Sequence, residues 1–186
     1  MDDIITKIIG VVIFTGIIGL IANATRNHKE GKSKKKMNSD TEMNTRSLFL
    51  ETLTKMGCQY KLGEGDDTRI YFDYQGEHFF ADMNENSIYV HIWDVHWAHV
   101  ELYDIDEVSR LRKAINNANL NTEVVTIYTI DNDAKTMDVH TKSTIPFMSS
   151  MPDLEDYLRT ELNEFFHAHH FVGSEMHKLR EQEQHA

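Results

Sequence analysis

Residues 87 to 103, Ser-Ile-Tyr-Val-His-Ile-Trp-Asp-Val-His-Trp-Ala-His-Val-Glu-Leu-Tyr, are almost all aromatic, β-branched or histidine. Alternation at period two sends Ile88, Val90 and Ile92 to one face of a strand and Tyr89, His91 and Trp93 to the other. Both faces then carry surface that gains by leaving water, so the stretch reads as the centre of a sheet that needs cover on each side. Asp94 marks either a bulge or a point through which one long strand passes. If the strand is continuous, Tyr89, Trp93, Trp97, His99 and Tyr103 share one face.

Other elements flank this centre. Leu48, Phe49, Leu53 and Met56 recur at helical spacing after a cap at Asn44 or Thr45, and Gly57 ends the helix. Turn signals at Gly63–Asp67, Gln75-Gly76 and Asn84–Asn86 divide the following chain into runs 58–62, 68–74, 77–83 and 87–93. Strands joined so tightly form an antiparallel meander. Asp104-Ile-Asp-Glu107 is a capping box, and Ile105, Val108, Leu111, Ile115 and Ala118 make the apolar stripe of a helix reaching about Asn119. Runs 122–130 and 136–145 read as a second hairpin. Ser150 and Pro152 open a last helix with Leu154, Leu158, Leu162, Phe165, Phe166 and His169 on its stripe, and the chain past Gly173 reads as a fraying tail. The expected class is α+β: an antiparallel sheet of meander plus C-terminal hairpin, covered by helices, in the order α, three or four β, α, two β, α.

The N-terminal part is different. Ile4 to Ala24 is 21 residues with Lys7 as its only charge, enough to span a bilayer. A secretory signal cleaved after Ala22-Asn23-Ala24 is the competing reading. It fits less well, because Asp2 and Asp3 stand where a signal carries positive charge. Residues 1–25 therefore read as one transmembrane anchor. Residues 26–44 follow as a basic juxtamembrane segment and linker, with Arg26, Lys29, Lys32, Lys34, Lys35 and Lys36 against Glu30 alone. Cations beside a membrane helix stay on the cytoplasmic side, which places residues 45–181, the α+β domain, in the cytoplasm at the cell (inner) membrane. From Met37 onward the chain has 12 Lys or Arg and 27 Asp or Glu, an excess of 15 negative charges. Such a domain repels phosphate backbones, and no nucleic acid is expected as a partner.

Motifs for chemistry are sparse. A single cysteine, Cys58, excludes an intramolecular disulfide and a Cys-rich zinc site and suits a reducing compartment. The eleven histidines offer His96 with His99, and His167, His169 and His170 with His177, but no carboxylate spacing completes a metal site and His169 lies on an apolar stripe. Asp73, Asp82, Asp94 and Glu101 lie on strands in an acid-rich chain, where alternation turns most carboxylates to water. No phosphate loop or nucleophile elbow occurs. No catalytic residue, metal or cofactor is assigned, and the sequence reads as non-catalytic.

The order helix, meander, capped helix, hairpin, helix, the stretch Val108-Ser-Arg-Leu-Arg-Lys-Ala-Ile-Asn-Asn-Ala-Asn119 leading into a hairpin, and the acidic balance resemble the YbjN-like family over about residues 46 to 180. The fold of that family resembles type III secretion chaperones. The resemblance implies a bacterial α+β domain that works by binding proteins, often as a homodimer, and the membrane anchor is an addition to it. The expected activity is membrane-tethered, non-catalytic protein binding, chaperone-like or regulatory, with Tyr89, Trp93, Trp97, His99 and Tyr103 as the partner-binding residues. The alternative is a sensory or regulatory domain holding a small ligand behind Tyr89 to Trp97.

Overall fold

The computed structural model describes residues 44 to 185, apart from 66 and 85. The expected anchor and almost all of the basic linker lie outside the described residues, and among the described residues no helix is long and apolar enough to cross a membrane.

Local chemistry sets the element boundaries. The Asn44 side chain accepts from the Ser47 amide at 2.8 Å and opens α1 (Thr45–Lys55), and Gly57 at φ +76° turns the chain out of it. Four strands follow: β1 (Tyr60–Leu62), β2 (Ile70–Tyr74), β3 (Glu77–Asp82) and β4 (Tyr89–Glu101). Gln75 and Gly76 both take positive φ, as a two-residue hairpin between β2 and β3 requires. Asp104 accepts from the Glu107 amide and starts α2 (Ile105–Asn121). Only half of the capping box forms, because the Glu107 carboxylate turns instead to Arg110 and Arg180. Then come β5 (Val125–Asp131), β6 (Thr136–Pro146) and α3 (Leu154–Gln184), the last capped by Asp153.

All pairings are antiparallel, in the order β1-β2-β3-β4-β6-β5. The expected meander is β1 to β4. The second hairpin joins it through β6, and α2 carries the chain across to the outer position of β5.

Each helix buries one stripe: Leu48, Phe49 and Leu53 on α1, Leu111, Ala114, Ile115 and Ala118 on α2, and Leu158, Leu162, Phe165, Ala168, Val172 and Met176 on α3. These stripes meet the same side of the sheet, where Ile70, Phe72, Phe79, Val90, Ile92 and Val139 are buried. The architecture is two layers, helices over an antiparallel sheet. Two apolar clusters fill the interlayer. One gathers α1, β2, β3, the first part of β4, the end of β6 and α3 as far as Ala168, and the other gathers α2, the start of β6, the later part of β4 and α3 from Val172.

The end of α3 departs from the expected fraying tail. The helix runs unbroken through Gly173 to Gln184 because Val172 and Met176 are buried against α2 and Arg110–Glu183 and Glu107–Arg180 ion pairs join the two helices beyond them. Tertiary contact outweighs the poor helix propensity of one glycine, about 1 kcal/mol.

Phe49 anchors the first cluster, fully buried and edge-on to both Phe72 and Phe147 at 5.9 and 5.4 Å. Phe49→Ala is expected to lower unfolding free energy by about 3–4 kcal/mol, read from the urea midpoint.

Candidate functional site

The sheet face turned away from the helices has no element packed on it among the described residues. Cross-strand registers line up one row over all six strands: Lys61, Tyr71, Phe80, Trp93, Lys142 and Val125, each opposite the next. Its middle is aromatic. Phe80 and Trp93 lie parallel with centroids 6.0 Å apart, and Tyr71 tilts against Phe80 at 6.1 Å. Cations lie over two of the three rings, with the Arg69 guanidinium 4.9 Å from the Phe80 centroid and the Lys142 ammonium 5.2 Å from that of Trp93. Asp82 lies 3.6 Å from Arg69, and burial pushes the Asp82 carboxyl above its ordinary pKa. Beside the row a cavity of about 150 Å³ is lined by Asp82, His91, Trp93, Lys142, Ser143 and Thr144. A larger one, about 280 Å³, lies between α1 and the start of α3, away from this face.

A bulge in β4 decides which expected residues reach this face. Asp94 pairs with Thr141 and Ala98 with Val139, so residues 95 to 97 stand opposite His140 alone. His96 takes φ +58°, and its amide donates to His140 Nδ1 at 3.1 Å. That bond fixes the tautomer: Nδ1 is the acceptor, so Nε2 carries the proton and donates to Thr129 Oγ1 at 2.7 Å. Burial, and next the neighbouring His96, hold the His140 pKa down to about 4. The imidazole is a neutral strut under the bulge.

Of the five residues expected to bind, Tyr89, Trp93 and His99 lie on the open face, with Tyr89 48% exposed. Trp97 does not share it. The extra residues rotate its indole to the helix side, where it stacks on His169 at 4.0 Å and donates to Thr141 Oγ1 at 3.0 Å. Tyr103 lies in the turn past the end of β4, 80% exposed, so its expected parity with Trp93 has no meaning there. Phe80, Tyr71, Arg69 and Lys142 were not singled out by the sequence. Their signal is register, available only once the strands are paired.

The expected histidine clusters separate. His169 turns inward while His167 contacts Glu164 on the exposed side of α3, and among the described residues no group of three or more His, Cys, Asp or Glu could hold a metal ion. The basic residues Arg26 to Lys36 lie outside the described residues.

No protein-family model matches the chain, and no curated protein matches it. Among solved structures, an uncharacterized protein from Methanothermobacter thermautotrophicus is similar with a TM-score of 0.49 and 10% identity, over 72% of this chain and 97% of that one. A likeness of this degree carries no residue roles across.

The row is half-solvated, so its side chains add less to stability than the interlayer does. Trp93→Ala is expected to lower unfolding free energy by about 1 kcal/mol, against the larger loss for Phe49→Ala; equal losses in the two urea titrations would place the row among the core contacts.

Proposed function

We propose that this chain is a membrane-tethered, cytoplasm-facing protein-binding domain, non-catalytic, whose open sheet face receives the partner. The observation that carries the reading is the Tyr71–Phe80–Trp93 row, three aromatic side chains contiguous on a face that no helix covers among the described residues. Flat aromatic surface gives large contact area at little loss of side-chain freedom, and binding hot spots are rich in such residues. Arg69 over Phe80 and Lys142 over Trp93 add charges beside the rings that fix how a partner lies on the row. The resemblance of the sequence to the YbjN-like family would imply the same reading, with a homodimer as one form of partner.

The tether rests on the 21-residue apolar run from Ile4 to Ala24 and the six cations that follow it before Met37. Confinement at the bilayer raises the effective concentration of any membrane-bound partner without a new contact. The 150 Å³ cavity beside Trp93 favours a second reading, a regulatory domain for a small ligand. That volume falls below the usual range for small-molecule sites, about 300–1,000 Å³, which ranks it second.

Crosslinking pull-down from membranes is expected to recover a reproducible partner with the natural chain and to lose it, at unchanged expression, with the double variant Trp93→Ala, Lys142→Glu. Recovery of the same partner by the variant defeats the sheet-face reading. Tryptophan emission that instead responds saturably to one compound of a metabolite panel favours the ligand reading.

Orientation has its own test. A reporter fused after Ala186 that works only outside the cytoplasm is expected to stay silent, and activity there reverses the topology.

A further inference from the structure

Asp94 sits one residue from Trp93 but on the opposite side of the sheet, 1% exposed and facing α3. Its Oδ2 lies 3.4 Å from His169 Nε2, and neither atom has a hydrogen-bond partner; among the described residues no other buried side-chain polar atom is left so. Two desolvated polar atoms that meet only each other need a proton between them. The place matters as much as the pair. It lies where the first apolar cluster ends at Ala168 and the second begins at Val172, against the β4 bulge. Trp97 closes it by stacking flat on the His169 ring, and Phe166 lies edge-on to that ring at 6.1 Å.

We propose that Asp94 and His169 form a proton-operated clasp between β4 and α3, shut while the Asp94 carboxyl keeps its proton against the neutral imidazole and loosened, with release of Trp97 from α3, when that carboxyl proton leaves. With the proton gone, the buried carboxylate keeps one nearby donor at most, the Nε2–H of the neutral His169 ring, and its further solvation has to come from water that displaces the Trp97 indole.

The surroundings favour charge loss over charge gain. Burial first, and then Glu77 on β3, raise the Asp94 pKa to about 7, while burial lowers that of His169 to about 4. On β6, opposite Asp94, stands the uncharged Thr141. From β2, Tyr74 packs on Phe166 and its hydroxyl turns to Asn163. On α3 itself His167 and His170 are exposed. The α2 charges Glu107 and Arg110 are engaged with Arg180 and Glu183, further along α3.

The signs then follow. The raised Asp94 pKa gives a contribution to stability that is full below the ordinary carboxylate value of 3.8 and lost as pH rises through about 7. The lowered His169 pKa gives the opposite, full above 6.5 and lost as pH falls through about 4. Between about 4 and 6.5 the two trends offset each other, so opening shows above neutrality.

The test uses the full-length chain with Trp93→Phe, which leaves Trp97 as the only tryptophan. Raising pH from about 6 to about 8.5 is expected to move its emission to longer wavelength while the far-ultraviolet helix signal holds, and Asp94→Asn in the same background is expected to abolish the shift. A fixed emission maximum, a shift that accompanies loss of helix, or a shift that persists in Asp94→Asn overturns the proposal. Should Asp94→Asn fail to fold, His169→Phe keeps a ring against Trp97 but removes the proton partner. The midpoint is then expected to move to higher pH, and an unmoved midpoint overturns the clasp. None of these readings depends on a partner at the open face.

Discussion

The hydrogen bond from the His96 amide to His140 Nδ1 holds the one break in the register of the two longest strands. Without a partner for that amide, a left-handed residue and three bulged positions would leave a backbone donor unpaired beside a buried ring. With it, β4 keeps pairing on both sides of the break, and two tryptophans only four residues apart serve opposite faces. Trp93 lies in the row on the open side; Trp97 covers the Asp94–His169 pair on the helix side. A protonated His140 could not accept this bond, which agrees with its depressed pKa.

One-sided cover follows from the helix count and pattern. Among the described residues three helices each have a single apolar stripe, and together these stripes suffice for one face of a six-stranded sheet. The other face has to be compatible with water by its own means. It achieves this through cross-strand order: rings stack on rings, Arg69 lies over Phe80 and Lys142 over Trp93, and Asp82 offsets Arg69. Long cationic side chains shield apolar surface with their stems while keeping the charge wet.

Much of the fold was legible because its signals are local. Asn44, Gly57, Gln75-Gly76 and Asp104 act within four residues of themselves, and each marks the boundary that its chemistry predicts. The class, the meander, the second hairpin and the three helical stripes followed from such signals and from periodicity. What stayed hidden depends on partners far along the chain. The bulge needs His140, 44 residues away, so Trp97 and Trp93 looked alike in parity. Continuation of α3 past Gly173 needs Glu107 and Arg110, 73 residues from the partners they grip. Tyr89, Trp93 and His99 were readable as open-face residues because ordinary alternation serves them, whereas Phe80 and Lys142 became visible only through their register opposite Trp93.

The seam between the two apolar clusters gives the domain an internal division that its single sheet conceals. β4, β6 and α3 cross it, and where β4 meets α3 stand a bulge, a left-handed residue and the buried Asp94–His169 pair in place of apolar packing. A continuous core would have Leu or Phe at both positions and would be more stable by removal of two desolvated ionisable groups. Retaining them puts two desolvated ionisable groups at this crossing in place of apolar packing, and regions of low local stability are where motion is easiest. Because Asp94 and Trp93 are adjacent on one strand, the buried pair and the aromatic row share the backbone of β4. Polar atoms that leave the core incomplete thus connect the buried side of the sheet to its open one.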